Sequence, residues 1–173
     1  MKTSYEFRVT LTDFKRRIYR IIRVNGSMTI EDFCEAVIYS MNGDCYHLYA
    51  LEFRGERFLC NGEDIELYDD NEQFMKKKKI SFLRLNKGDR LKINYDFGDD
   101  WYFLLTVRKV LEEESNEYPI VLDGKGLGIV EDCGGIWGLE EIINEDISSE
   151  RKEAFGDINI DEFDLDECNC RIK

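Results

Sequence analysis

Two short stretches gather the side chains whose types and spacing suit chemistry. Tyr95-Asp96-Phe97-Gly98-Asp99-Asp100-Trp101 holds three carboxylates and a glycine between two large aromatic residues, and Glu131-Asp132-Cys133-Gly134-Gly135 follows about thirty residues later. Oxygen-rich clusters of this kind suit hard cations such as Mg²⁺ or Ca²⁺. Paired carboxylates also suit acid–base work when their surroundings separate their pKa values. The candidate ligand or metal surface is therefore Asp96, Asp99, Asp100, Trp101, Glu131 and Asp132, together with His47, the one histidine of the chain. A plainer expectation competes with it and is preferred. Aspartates in tight turns bond their own backbone amides, and Gly98 is placed to supply the left-handed dihedral such a turn needs. Tyr95 and Trp101 either line a pocket or fill the core at strand ends, and their strand spacing favours the core. A single histidine removes any His-rich zinc site. His47 is expected to be structural, the alternative being that it reaches across to the acidic turns as a ligand or proton carrier.

Other resemblances to chemical motifs fail on context. Asp96-Phe97-Gly98 lacks the glycine loop and catalytic loop that accompany the kinase metal triplet. Gly124-Lys125-Gly126-Leu127-Gly128 lacks the strand-to-helix setting of a nucleotide loop. Cys168-Asn169-Cys170 would need two further ligands from elsewhere to hold zinc.

The elements that must position these residues are legible from periodicity. Tyr5, Phe7, Val9 and Leu11 alternate along a strand, and Ile18 to Val24 forms a second strand, making a hairpin. Thr29 fits a helix N-cap with Glu31 and Asp32 in the first turn. Ile30, Phe33, Cys34, Val37, Ile38 and Met41 then follow helical spacing up to Asn42-Gly43. His47 to Phe53 and Arg57 to Cys60 read as strands around an Arg54-Gly55-Glu56 turn. Residues 61–73 read as an acidic, irregular loop, and Ile80 to Leu85 is open between helix and strand. Arg90 to Tyr95 and Trp101 to Leu111 form a hairpin whose end is Asp96 to Asp100. A charged loop over residues 112–117, an extended stretch over 118–122, a helix from Trp137 to Ile143 and another from Ser149 to Phe155 complete the chain. The tail over 144–173 is acidic, and its Ile158, Ile160, Phe163 and Leu165 are expected to dock it on the body.

Length and composition set the frame. The 173 residues fit one domain, and 43% hydrophobic content supports a core. A net charge of −13 disfavours nucleic acid as a partner for the whole surface. Arg16, Arg17, Arg20 and Arg23 are expected to be a solvated strand face pairing with acids, and Lys76 to Lys79 a solvated run; either group is the candidate for an anion or DNA contact. No secretory signal is read at the start and no apolar run reaches membrane-span length. Six cysteines are therefore expected as reduced thiols in a cytoplasmic protein.

With both acidic motifs in place, the chain resembles the Ri-plasmid ORF-three-like family, whose members also occur as passenger proteins of bacterial insertion elements. The likeness runs from Tyr5–Leu11 through Arg17-Ile18-Tyr19-Arg20, Thr29-Ile30-Glu31-Asp32-Phe33 and His47-Leu48-Tyr49. It includes the hairpin signature Tyr95 to Asp99 with Trp101, the second signature Glu131 to Gly135 with Gly138, and Ile160 to Asp164 near the end. Three positions depart from the family pattern. Phe103 stands where the family has a histidine two residues after the tryptophan, Ile129 and Val130 replace prolines, and Asp44 replaces a tryptophan. The resemblance implies an α+β fold with antiparallel strands and no established activity.

The expectation is thus a single α+β domain over 1–173. An antiparallel, hairpin-built sheet packs against one main amphipathic helix, about 29–41, with smaller helices near the C-terminus. The leading functional expectation is a non-catalytic binding or adaptor module, with a protein or small ligand as partner, no membrane, no cofactor, and a possible tie to mobile genetic elements. The alternatives are a divalent-metal hydrolase or nuclease using Mg²⁺ or Ca²⁺ at the two acidic turns, and a DNA-associated accessory protein.

Overall fold

In a computed structural model the described residues are 3–60, 66–75, 77–112, 119–144 and 148–173. Among them run β1 (Thr3–Leu11), β2 (Tyr19–Asn25), α1 (Ile30–Ser40), β3 (Tyr49–Phe53), β4 (Glu56–Leu59), β5 (Glu72–Phe74), a 3-10 turn (Ile80–Leu83), β6 (Arg90–Tyr95), β7 (Trp101–Glu112), β8 (Ile120–Lys125), α2 (Gly135–Ile143), α3 (Ser149–Phe155) and α4 (Leu165–Arg171). The strands form one eight-stranded sheet in the order β5-β4-β3-β6-β7-β1-β2-β8. Every pairing is antiparallel except β4 with β5. The α+β class holds. The sheet dominates the architecture, rather than one main helix, and four α-helices accompany it among the described residues.

Register explains where the core lies. Phe7 pairs with Ile22 on one side and Val107 on the other, Val9 with Leu105, Leu105 with Leu91, Phe103 with Ile93, Trp101 with Tyr95, and Ile93 with Leu51. Alternation then puts all of these side chains on one face, and all are buried. Phe33 of α1 meets Phe7 across that face with ring centroids 4.9 Å apart. Thr29 caps α1 as its spacing predicts, accepting a hydrogen bond from the Asp32 amide at 3.0 Å. At roughly 25 cal/mol per Å² of apolar surface, this face supplies most of the folding drive.

One expectation is corrected here. The acidic loop over 61–73 contains β5 at its end, pairing parallel with β4; residues 61–65 lie outside the described set. Residues 112–117 fall outside it beyond Glu112, which closes β7. The stretch from Ile120 onward is the edge strand β8 on β2. In the tail Ile160, Cys168 and Ile172 are buried and Ile158 and Phe163 pack against the core, while Leu165 is exposed; α4 was not read from the sequence.

The arginine group is not one solvated face. Arg20 is buried and donates to the carbonyls of Ser40 (2.6 Å), Tyr19 (2.9 Å), Lys125 (3.1 Å) and Leu127 (2.8 Å), with Phe163 stacked on its guanidinium. It ties β2, the end of α1, the loop after β8 and the tail together. Arg16 pairs with Asp161 at 2.7 Å and Arg23 with Glu6 at 3.4 Å.

Glu6 is a buried carboxylate with three cationic partners, Arg23, Arg108 (3.1 Å) and Lys109 (3.1 Å). A bulge opposite Glu6–Phe7 lets the consecutive residues Arg108 and Lys109 reach the same carboxylate, although neighbours on a regular strand point apart. Burial opposes ionisation of Glu6, but hydrogen bonds and charge from Lys109, Arg23 and Arg108 outweigh it and hold the carboxyl below its ordinary value. A depressed folded-state pKa gives stability that is present above the ordinary carboxylate range and lost as pH falls through the folded value. Glu6→Gln is therefore expected to lower stability by about 1–3 kcal/mol at pH 7. The gap from wild type should close in acid, measured by denaturant titration at both pH values.

Candidate functional site

Strand register brings the candidate residues together. Tyr49 of β3 pairs with Tyr95 of β6, so the residues just before β3 lie beside those just after β6. The Asp96 amide donates to the Leu48 carbonyl at 2.9 Å, which seats His47 next to the hairpin end. The second acidic segment is pinned over the same place. The Ile129 amide donates to the Met41 carbonyl (2.8 Å) and the Asn42 side chain to the Ile129 carbonyl (3.0 Å). Downstream, the Gly134 amide donates to the Asp99 carboxylate at 3.1 Å, and Gly135 lies so close to the Asp99 carbonyl that a Cβ there would overlap it. The Cys133 carbonyl accepts from Arg151 of α3 at 2.7 Å.

Three loops thus converge on the His47 imidazole. Its Nε2 lies 3.2 Å from Asp132 Oδ1, 3.7 Å from Asp96 Oδ2 and 3.9 Å from Glu131 Oε2. His47, Asp96 and Asp132 each offer a ligand atom within 4.8 Å of the others. Donors held at about 2.0–2.2 Å around one ion sit roughly 3.0–3.5 Å apart, so the set must draw inward to close on an ion. Asp96 is buried, Glu131 and His47 are half-buried, and Asp132 is exposed, which leaves one side of the cluster facing solvent.

The two oxygens of Glu131 differ. Oε1 accepts from the Asp44 amide (2.6 Å) and from the Tyr95 hydroxyl (2.7 Å). Oε2 is buried and has no hydrogen-bond partner. Tyr95 is itself buried, and burial together with the hydrogen bond and charge of Glu131 pushes its pKa up, so the hydroxyl stays a donor. Asp96 is divided in the same way: Oδ1 accepts from the Gly98 amide at 2.9 Å, and Oδ2 faces His47.

The remaining candidates do other work. Asp99 joins the two segments through Gly134, and Asp100 accepts from Asn94 (3.3 Å) and Tyr102 (3.4 Å), away from the imidazole. Trp101 is wholly buried and belongs to the core, not to a ligand-gripping surface. Gly98 does not take the left-handed dihedral expected of it. Asp96 and Asp100 take it instead, at φ 54° each, as does Asp132 at φ 55°. Aspartate tolerates that conformation through local side-chain bonds, seen here at Asp96. Cys133 is buried, and burial pushes its thiol up to about 12, which leaves it neutral and inert. Phe103 is also wholly buried, so its position belongs to the core face. Sequence reasoning placed Tyr95 among core or pocket-lining residues. Its bond to Glu131 was not foreseeable, although its place beside Asp96 was a signal.

The family model described as plasmid pRiA4b ORF-3-like protein matches residues 3–171. The chain belongs to this family. It is similar to a crystal structure described as a protein of unknown function, MM3350, from Methanosarcina mazei Go1, with 27% identity and a TM-score of 0.78 over 96% of this chain and 97% of that one. No curated protein matches. The match spans both acidic segments that form the cluster. Among the described residues no helix is long and apolar enough to cross a membrane.

Proposed function

We propose that the chain is a divalent-cation-binding protein, with His47, Asp96 and Asp132 as ligands and Glu131 Oε2 as a fourth. The observation that carries this reading is the convergence of one imidazole nitrogen and three carboxylates, one of them with a buried oxygen that no protein group satisfies. An unpaired buried carboxylate oxygen is costly, and a cation removes that cost. The imidazole shifts the preferred ion away from the Mg²⁺ or Ca²⁺ expected from carboxylates alone, towards Mn²⁺, Zn²⁺ or Fe²⁺, which accept mixed nitrogen and oxygen donors. Without a cation, three carboxylates face a single imidazole. Calorimetric titration with Mn²⁺, Zn²⁺, Mg²⁺ and Ca²⁺ tests the reading. One site per chain is expected, lost in the double variant Asp96→Asn/Glu131→Gln; heat that the double variant leaves unchanged sinks it.

Tyr95 has a positioning role in this reading. Its hydroxyl and the Asp44 amide hold Oε1, which turns Oε2 towards the imidazole. Groups that orient metal ligands typically matter about 10–100-fold in affinity. Tyr95→Phe is expected to weaken Mn²⁺ binding about tenfold, with a melting temperature in EDTA close to wild type.

The exposure of Asp132 favours a second reading, metal-assisted hydrolysis. A cation held on one side by the buried Asp96 and the half-buried His47 and Glu131 keeps coordination positions on the other for water and substrate. A panel of phosphomonoesters, phosphodiesters and carboxyl esters assayed with Mn²⁺ tests it. Turnover abolished by His47→Ala supports hydrolysis; turnover that survives the change overturns it.

A further inference from the structure

Away from the acidic site, the turn between β3 and β4 and the segment around the 3-10 turn enclose a groove of about 720 Å³. Its lining includes Arg54, Lys77, Lys78, Lys79, Phe82 and Arg84, with no carboxylate among the lining residues. That is an unusual local balance in a chain of net charge −13. Two of the cations are engaged: Arg54 pairs with Asp89 at 3.1 Å, and the Lys78 ammonium donates to the Phe74 carbonyl at 2.9 Å. Lys77, Lys79 and Arg84 are exposed and make no ion pair among the described residues.

The backbone that carries them is anchored. The Ile30 amide donates to the Lys78 carbonyl (2.7 Å), the Ile80 amide to Met28 (3.0 Å) and the Ser81 amide to Gly26 (3.0 Å). Ile80 and Leu83 fill the core from this segment, which leaves Phe82 pointing outward with 57% of its surface exposed.

We propose that this groove binds single-stranded nucleic acid, Lys77, Lys79 and Arg84 taking phosphates while the Phe82 ring stacks on a base. Cations that follow a phosphate backbone, with an aromatic platform between them, are the two parts of sequence-tolerant single-strand binding. A duplex keeps its bases stacked inside and offers Phe82 nothing. An acidic peptide satisfies the cations but has no flat partner for the ring. The chain's overall negative field repels polyanions, so binding rests on the groove and weakens steeply with salt.

Fluorescence anisotropy of a labelled oligothymidine of about twelve nucleotides tests the proposal on the full chain. With three phosphates neutralised, log K is expected to fall with log salt at a slope of about −2. The triple variant Lys77→Glu/Lys79→Glu/Arg84→Glu should lose at least about 30-fold in affinity. Phe82→Ala should lose about tenfold with the slope unchanged. Thermal melting confirms that each variant is folded. A control reversing exposed Lys125, Lys152 and Lys173, equal in net charge, should lose less than about threefold. Any of four results overturns the proposal. They are no anisotropy change at about 25 mM salt, equal losses in triple variant and control, tighter binding of duplex than of single strand, and competition by polyglutamate as strong as by unlabelled oligonucleotide.

Discussion

Asp96→Asn is expected to reduce Mn²⁺ affinity by about 100-fold or more, roughly 3 kcal/mol, while leaving the cation-free protein as stable as wild type or slightly more so. The substitution separates ligation from folding. Asparagine tolerates the left-handed dihedral at this position, φ 54°, and its carbonyl can still accept from the Gly98 amide. What it removes is one negative charge from a cluster in which three carboxylates face one imidazole. Without metal that removal relieves repulsion; with metal it deletes a ligand. In wild type, Mn²⁺ at about 100 times its Kd is expected to add about 2.7 kcal/mol. For a chain of this size that raises Tm by roughly 5–10 °C, and EDTA should reverse it. In the variant the rise should disappear. A variant that melts well below wild type in EDTA would instead mark Asp96 as a fold-holding counter-ion of His47.

Gly135→Ala is expected to destabilise the fold by about 3–4 kcal/mol, a fall in Tm of roughly 6–15 °C. It should also weaken cation binding, although Gly135 touches no ligand. Two costs combine. Gly135 has φ +66°, where an L residue is strained by roughly 1–2 kcal/mol. An added Cβ would also run into the Asp99 carbonyl, which is backbone and cannot swing aside. Relief requires the Glu131–Gly135 segment to move off the Asp96–Asp100 turn, breaking the bond from the Gly134 amide to Asp99 and carrying Glu131 and Asp132 away from His47. Gly55→Ala is the matched control. It has φ +82° with nothing within 4 Å of the new Cβ, so only the dihedral cost of about 1 kcal/mol is expected. Equal losses in the two variants would show that the contact between the two acidic segments carries no special weight.

How much of this was legible in the chain depends on the range of the physics. Local periodicity was enough for α1, whose Thr29 cap and buried stripe from Ile30 to Met41 stand as read. It was also enough for the core faces of β1, β6 and β7, because a two-residue period and large apolar side chains leave little choice of face. It failed at β5, whose three residues are too few to show a period and whose parallel pairing depends on β4. It failed at α4 because only Leu165, Cys168 and Ile172 carry its helical spacing, too short a run among polar residues to stand out. At the hairpin end the composition rule pointed to Gly98, yet Asp96 and Asp100 took the left-handed positions.

The site itself was half legible. The residue types named its members, His47, Asp96, Glu131 and Asp132, but not which of the neighbouring acids would turn aside. Asp99 and Asp100 are as acidic as Asp96 in the sequence; only the geometry of the turn sends one to Gly134 and the other to Asn94 and Tyr102. Convergence came from long-range register, above all Tyr49 opposite Tyr95, which no local pattern encodes. The two acidic segments differ in how local their bonds are. Asp96 accepts from the Gly98 amide of its own turn, whereas Glu131 accepts from the Asp44 amide of another loop, and both leave one carboxylate oxygen facing the imidazole.

Crystals of the protein soaked in Mn²⁺ and measured for anomalous scattering test the central claim most directly. The expected result is one strong peak among His47 Nε2, Asp96 Oδ2, Asp132 Oδ1 and Glu131 Oε2, at about 2.0–2.3 Å from each bound atom. Density there with no anomalous signal, or an Mn²⁺ peak only at other carboxylates, would contradict it.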